Sequence, residues 1–175
     1  MTMGQFWNSI FTGNNLAILG AALATLLAGI GSAKGVNLVG KAASGLLSED
    51  PSKFGKAMAL LALPMTQGIY GLITSFLIIF NLGLLGGSVN PAEISTAEGM
   101  YYLIAALPIA IVGFYSGIKQ GEVAASGISL LSKRPNEVGK AITSAALVET
   151  YAIFAVLVSL LLVLFAPEFA PAVAA

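Results

Sequence analysis

Long apolar runs separated by short polar turns dominate this chain. Four apolar segments extend over about residues 16–47, 54–85, 100–131 and 141–165. Each is longer than the ~20 residues that a helix needs to cross a bilayer. The pattern therefore predicts an all-α membrane protein with four transmembrane helices. Because no hydrophilic stretch is long enough for a separate core, residues 1–175 are expected to form a single membrane domain.

The four segments form two tandem copies of one helical hairpin. The copies cover about residues 15–85 and 98–166. The run LLSEDPSKFGKA at 46–57 aligns with LLSKRPNEVGKA at 130–141, and the same offset places Met65 opposite Glu149. Only the second copy therefore carries the acid. Since repeats usually bury faces that one copy cannot bury alone, the duplication predicts assembly into a ring or array, with ordinary packing inside a monomer as the alternative.

Composition agrees with a protein whose main solvent is lipid. Hydrophobic residues make up 57% of the chain and charged residues 9%, with a mean hydropathy of +0.91, against about 25% charged residues in soluble domains. The chain has no Cys and no His, which excludes thiol and imidazole catalysis and the usual zinc and haem sites. A net charge of zero without a basic block argues against nucleic acid as a partner. We expect no enzyme activity in this chain by itself and no organic cofactor.

The basic residues predict the orientation in the membrane. All eight Lys and Arg lie within residues 34–56 and 119–140. By the positive-inside rule, the loops 48–53 and 132–136 are cytoplasmic and both termini are external. The N-terminus lacks the basic region of a secretory signal, so the first segment is expected to be a retained span. Phe6 and Trp7 are expected to act as interfacial anchors.

A single acid, Glu149, lies deep within the fourth segment. An intramembrane carboxylate costs at least ~2.5 to 3.5 kcal/mol, so it is expected to serve a function. Counted from the turns, Glu149 lies ~15 residues beyond its turn, Gln120 ~14 before it, and Thr66 and Gln67 ~17 beyond the other turn, so all four fall within ~5 Å of one depth. One site is therefore expected to collect them, although each amide or hydroxyl alone also fits an ordinary interhelical hydrogen bond.

The chemistry of these groups suits a small cation. Hard cations prefer several oxygen ligands, and the set offers a carboxylate, two amide oxygens and a hydroxyl. Pro64 lacks an N–H, so it is expected to bend the helix and free backbone oxygens nearby. Tyr70, one turn beyond Thr66, is expected to donate its hydroxyl to the carboxylate. A Lys34–Glu122 ion pair at a similar depth is interpreted as structural.

Four short motifs carry a resemblance to a known family. They read GIGSAKG at 29–35, LPMTQGIYG at 63–71, GIKQGEVAA at 117–125 and VETYAI at 148–153. With these motifs the chain resembles, over nearly its whole length, the duplicated rotor-ring proteolipid (c or K subunit) of V-type ATPases. Within that family it is most similar to the sodium-translocating bacterial members. The resemblance implies an integral protein of a bacterial plasma membrane.

The resemblance also implies partners and ligands. It implies a homo-oligomeric ring that contacts lipids and a central-stalk subunit and turns against a stator membrane subunit, whose arginine releases the ion. It further implies that ATP hydrolysis takes place in partner subunits. The implied Na⁺ ligands are Glu149, Thr66, Gln67, Gln120 and the backbone carbonyl of Leu63, with Tyr70 hydrogen-bonded to the glutamate.

Two alternatives to sodium transport stay open. A proton-translocating ring needs only the carboxylate in an apolar setting, and the additional oxygens at one depth favour Na⁺ over H⁺. A structural four-helix scaffold or small pore is the other alternative, and it would be expected to dissolve as a monomer or dimer.

Overall fold

A computed structural model of the chain describes residues 2–86 and 94–168. It contains the helices α1 (Met3–Ile10), α2 (Gly13–Glu49), α3 (Phe54–Ala62), α4 (Thr66–Asn81), α5 (Thr96–Lys133) and α6 (Val138–Leu164). In these two ranges, four helical stretches are long and apolar enough to cross a membrane: Gly13–Glu49, Pro51–Asn81, Thr96–Lys133 and Pro135–Leu164. The prediction of an all-α membrane protein with four spans is therefore confirmed.

The two basic turns lie side by side at one end of the molecule. Each is a short 3₁₀ turn that begins with a proline, at Pro51–Lys53 and at Pro135–Glu137. The Nζ of Lys53 donates to the carbonyl of Ser132 at 3.1 Å. The Nζ of Lys56 donates to the carbonyl of Pro135 at 3.0 Å. The turns are thus tied to each other directly, as expected if they share one side of the membrane.

The other end of the molecule joins the start of α2 to the start of the second hairpin. The backbone N–H of Ile94 donates to the side-chain oxygen of Asn14 at 3.1 Å. Asn81, at the end of α4, donates to the carbonyl of Val163 at 3.1 Å. The connection between the two hairpins includes residues 87–93, and the C-terminal tail includes residues 169–175. Both ranges lie outside the described residues.

Helices α2 and α5 pack against each other with their backbones in contact. A methyl group added to Gly121 would overlap the backbone of Gly35, and a methyl group on Gly35 would overlap the carbonyl of Gly117. Small residues are what allow such an approach in lipid, where packing and not the hydrophobic effect joins helices. Helix α4 packs against α2, and helix α6 packs against α5. The backbone contact fixes the register of the two hairpins.

Two apolar clusters divide the core along its length. One contains Ala21, Ile78, Ile109 and Val156, and the other contains Val39, Leu60, Ala124 and Leu131. Between them, in sequence and along the helices, lie the residues predicted to form the ion site. The outer surface is apolar as well, with Phe76, Phe80, Phe154 and Leu161 each more than half exposed. A surface of this kind is expected to face lipid chains.

The expected ion pair between Lys34 and Glu122 is not formed. Glu122 pairs instead with Lys119, three residues earlier on α5, at 3.0 Å. The Nζ of Lys34 lies 5.3 Å from the centre of the Phe114 ring, a cation–π distance. Residues three apart on one helix are already neighbours, so Glu122 finds its partner without reaching across to α2.

Candidate ion-binding site

The site begins at a break in the second span. Helix α3 ends at Ala62, a 3₁₀ turn covers Leu63–Met65, and α4 begins at Thr66. Pro64 lies within this turn and is buried. Because Pro64 lacks an N–H and its ring crowds the preceding turn, it favours a break in the helix at this point. The break brings irregular backbone to the depth where the polar side chains gather.

Two side chains from other helices hold the carboxylate of Glu149. The hydroxyl of Tyr70, on α4, donates to its Oε1 at 2.7 Å. The amide Nε2 of Gln120, on α5, donates to its Oε2 at 3.3 Å. Each carboxylate oxygen therefore has one donor, and three of the long helices meet at a single charged group. Glu149 itself is partly buried, so its environment is set mainly by these protein groups.

A second glutamine extends the hydrogen-bonded chain inwards. Gln67 is fully buried, and its Nε2 donates to Oε1 of Gln120 at 2.5 Å and to the hydroxyl of Ser116 at 3.3 Å. The ionised carboxylate accepts only, so Gln120 must turn its NH₂ group to Glu149 and its oxygen to Gln67. Gln67 must then turn its own NH₂ group to Gln120. The charge on Glu149 thus fixes the orientation of both amides.

This orientation leaves one buried oxygen without a partner. Oε1 of Gln67 is inaccessible and accepts no hydrogen bond. Such an unpaired buried acceptor typically costs about 1–3 kcal/mol. The oxygen lies on the same amide that points into the Gln120 and Glu149 network. A cation bound there would give this oxygen the partner that the protein alone does not supply.

Thr66 and Leu63 lie on the helix break and are bonded to each other. The hydroxyl of Thr66 donates to the carbonyl of Leu63 at 3.2 Å. Both residues are partly buried, and Thr66 lies one turn before Tyr70 on α4. The hydrogen-bonded chain thus joins Tyr70, Glu149, Gln120 and Gln67, and a side-chain interaction between Thr66 and Tyr70 places the Thr66–Leu63 pair beside it. In this state the oxygens of that pair bond to each other and not to the carboxylate.

Two serines near the site were not predicted to belong to it. Ser116 lies one turn before Gln120 on the same face of α5, and it accepts from Gln67 and donates to the carbonyl of Val148 at 3.1 Å. Ser32, on α2, accepts the backbone N–H of Gly68 at 2.8 Å. Ser116 therefore ties α4 to the turn of α6 that carries Glu149. Its spacing of four residues from Gln120 was the available sequence signal.

The charge at the site suits a monovalent cation. Residues 2–86 and 94–168 contain no group of three or more His, Cys, Asp or Glu residues that could hold a metal ion. Divalent cations are usually held by several carboxylates. Here one carboxylate stands among neutral oxygens, so one positive charge makes the site neutral. That is the condition under which a charged group is least costly inside a membrane.

Comparison with known proteins gives the family of the chain. The family model for the C subunit of ATP synthase matches twice, at residues 19–78 and 103–162. The chain is 49% identical over 148 residues to the K subunit of the V-type sodium ATPase of Enterococcus hirae, covering 85% of this chain and 90% of that protein. It is 35% identical over 147 residues to the K subunit of the A-type ATP synthase of Methanocaldococcus jannaschii, covering 84% of this chain and 61% of that protein.

These matches confirm the family resemblance found in the sequence motifs. Each half of the chain matches the same family, and the two relatives are K subunits, one of a V-type sodium ATPase and one of an A-type ATP synthase. The matched regions include Tyr70, Gln120 and Glu149, the residues that meet between α4, α5 and α6. The chain therefore belongs to the family of ATP synthase C subunits.

Proposed function

We propose that this chain is the ion-carrying subunit of the rotor ring of a V-type ATPase and that its cargo is Na⁺. The ion is held on Glu149 and crosses the membrane as the ring turns, coupled to ATP hydrolysis in partner subunits. The chain is a non-catalytic subunit. The name of the Enterococcus hirae relative, a sodium ATPase subunit that the chain matches along most of its length, supports this cargo.

The observation that carries the proposal is the unpaired Oε1 of Gln67. A proton on Glu149 needs no further oxygen, whereas a bare cation needs several. The proposed ligands are Glu149, Thr66, Gln67, Gln120 and the carbonyl of Leu63, with Tyr70 holding the carboxylate and Pro64 keeping the helix open. The hydroxyl oxygen of Thr66 keeps its lone pairs while it donates to the carbonyl of Leu63, and that carbonyl has a second lone pair, so both oxygens can also be ligands.

An exposed ion pair supports assembly into a ring. The side chains of Lys119 and Glu122 are 62% and 47% exposed on α5, within two residues of Gln120. A charged pair at this depth is costly against lipid chains. This face of α5 therefore suits a neighbouring copy or the interior of a ring better than the surrounding bilayer. We propose a homo-oligomeric ring with α2 and α5 in its inner layer.

The orientation and the two hairpins of the proposal rest on the charges and the repeat, and its partners rest on the family of the chain. The chain is a single membrane domain of two hairpins, about 15–85 and 98–166. The loops 48–53 and 132–136 are cytoplasmic, and both termini are external, in a bacterial plasma membrane. The cytoplasmic turns contact a central-stalk subunit, and a stator membrane subunit brings an arginine to Glu149. Lipids contact the outer surface of the ring.

Carbodiimide labelling of Glu149 tests the cargo. Carbodiimides modify accessible protonated carboxyl groups, so a bound cation protects the acid. The assembled protein is labelled at one pH in increasing NaCl, with choline chloride keeping the ionic strength constant, and modified Glu149 is measured by mass spectrometry. We expect millimolar Na⁺ to slow labelling about tenfold or more, the equivalent of at least ~1.4 kcal/mol of binding.

The other outcomes separate the competing functions. Labelling that is unaffected by Na⁺ would contradict the sodium proposal and leave a proton-carrying ring. The native mass of the detergent-solubilised protein tests the ring itself. A large assembly of identical chains is expected, and a monomer or dimer would favour the structural scaffold or small pore.

A further inference from the structure

Helix α1 has one apolar face and one polar face. Met3, Phe6, Trp7 and Ile10 follow the i, i+3, i+4, i+7 spacing of a single helical face. Their side chains are 73%, 44%, 50% and 42% exposed. Gln5 and Ser9 lie on the opposite face. Residues 2–86 and 94–168 therefore leave the apolar face of this helix largely uncovered.

The helix is fixed in position by specific hydrogen bonds. At its start, Thr2 and Gln5 form a reciprocal capping box. At its end, the side-chain amide of Asn15 donates to the carbonyl of Ile10 at 2.9 Å and to that of Ser9 at 3.4 Å. Only Phe11 and Thr12 separate α1 from α2. The short connection between α1 and the first membrane span, Phe11 and Thr12, is therefore a bend held by hydrogen bonds, and it is called the elbow.

An apolar groove lies inside this elbow. Ile10 and Phe11 line one side, and Leu16, Ile18, Leu19 and Ala22 of α2 line the other, with Asn15 between them. The groove has a volume of ≈ 440 Å³ and is open to the outside. Ile18 and Leu19 are also exposed. The apolar face of α1 thus continues without interruption into the surface of a membrane span.

The charge of this region indicates what covers it. The first charged residue of the chain is Lys34. Helix α1 and the elbow therefore lack the charged side chains that surround many protein-binding surfaces. They also lack the basic side chains that would bind anionic lipid headgroups. Trp and other aromatic residues are enriched where a membrane meets water. Amphipathic helices that lie in this interface bury their apolar face at the boundary of headgroups and acyl chains.

We propose that α1 is an interfacial helix that binds phospholipid. Its apolar face lies among the upper acyl chain segments, the elbow groove receives part of an acyl chain, and Gln5 and Ser9 face water. Binding depends on apolar contact, so it needs no anionic lipid and is insensitive to salt. The helix lies at the membrane surface opposite the two basic turns. This inference requires only a membrane-embedded chain and is independent of the transported ion.

The single tryptophan of the chain provides the test. The assembled protein is reconstituted into phosphatidylcholine vesicles that carry bromine either near the carbonyl end of the acyl chains or near the chain ends. Bromine quenches tryptophan fluorescence on contact, and iodide in the water reports exposure to solvent. We expect Trp7 to be quenched roughly twofold more by bromine near the carbonyl end and little by iodide.

A matched variant moves the tryptophan to the polar face. In the double variant Trp7→Phe, Ser9→Trp, iodide should quench more strongly and bromine more weakly than in the parent protein. Equal bromine quenching in both proteins would overturn the assignment of faces. Strong iodide quenching of Trp7 would place α1 in water, and protection of Trp7 from both quenchers would place it against another copy of the chain. Either result overturns the proposal.

Discussion

The hydroxyl of Tyr70 lies 2.7 Å from Oε1 of Glu149, and the two residues belong to different halves of the duplicated chain. The first half supplies the donor and the second half supplies the charge. Neither hairpin could form this contact alone. The loss of the acid from the first copy, where Met65 occupies the aligned position, is thus compatible with one complete site per chain.

Replacing Tyr70 by Phe should weaken sodium binding without disturbing assembly. The change removes the donor to Oε1 and keeps the ring. Hydrogen bonds to charged groups contribute about 1.5–3 kcal/mol. We therefore expect the Na⁺ concentration for half-protection of Glu149 against carbodiimide to rise about tenfold. Tyr151→Phe is the matched control, because Tyr151 lies two residues from Glu149 and is 66% exposed. Equal behaviour of the two variants would contradict a role for the Tyr70 hydroxyl.

Replacing Gln67 by Met should separate sodium binding from packing. Methionine has a similar length and keeps the interior filled, but it lacks the unpaired Oε1. We expect protection by Na⁺ to weaken about tenfold or more, while native mass measurement still finds the intact assembly. Ser116→Ala, which removes only the hydroxyl that accepts from Gln67, should weaken protection by a smaller factor. A larger loss in Ser116→Ala than in Gln67→Met would contradict Gln67 as a ligand.

The sequence predicted the depth of the site residues and the hydrogen bond from Tyr70 to Glu149, but not the other partners. Counting from the turns places Thr66, Gln67, Gln120 and Glu149 at one level, because the rise of a helix per residue is constant. Rotation about the helix axis and the choice of rotamer are not fixed by counting. Two hydrogen bonds depend on both the rotation and the rotamer: the bond from Gln67 to Ser116 and the bond from Thr66 to Leu63. They could therefore not be predicted from the sequence.

Ion pairs and short helices were harder to predict for related reasons. The pairing of Lys34 with Glu122 was wrong because a competing partner, Lys119, lies on the same helix as Glu122. Helix α1 was predicted only as two aromatic anchors. Its capping signal, Thr2 followed by Gln5, was present in the sequence. A helix of this length is marginal on its own, and the bonds that complete it come from Asn15, which belongs to the next helix.

Two glycine substitutions should have opposite effects on the stability of the packed helices α2 and α5. In Gly121→Ala the added methyl group overlaps the backbone of Gly35, whereas in Gly45→Ala it meets no atom within 4 Å. Overpacking of this kind typically destabilises by about 1–3 kcal/mol, while Ala in place of Gly favours a helix by roughly 0.5–1 kcal/mol. Thermal unfolding in detergent should therefore occur earlier for Gly121→Ala and not earlier for Gly45→Ala.

Glu149→Gln should abolish ion transport and leave the assembly intact. The amide keeps the size of the side chain and can still accept from Tyr70, so packing around it is preserved. It carries no charge to exchange for a cation, and carbodiimide has no carboxyl group to modify at this position. Sodium uptake into vesicles that contain the whole ATPase checks the first expectation, and native mass checks the second. Unchanged ion flux would place the transport path elsewhere.

Sodium and protons should compete for Glu149, which gives the pH dependence of binding a definite sign. One carboxylate cannot hold both, and sodium binds only the ionised form. At lower pH protons occupy more of the sites, so more sodium is needed to displace them. The Na⁺ concentration for half-protection should therefore rise as the pH falls, because one proton is released for each ion bound.

This competition also tests the ligand set against the proton alternative. In Gln67→Met the carboxyl remains, so the rate of carbodiimide labelling should still depend on pH. The dependence on sodium should weaken, because an oxygen that only a cation needs has been removed. Loss of sodium protection with the pH dependence preserved is the expected result. Protonation of Glu149 should prevent a cation from binding at the carboxylate. If sodium protection in the parent protein were the same at every pH, the cation would therefore be bound elsewhere.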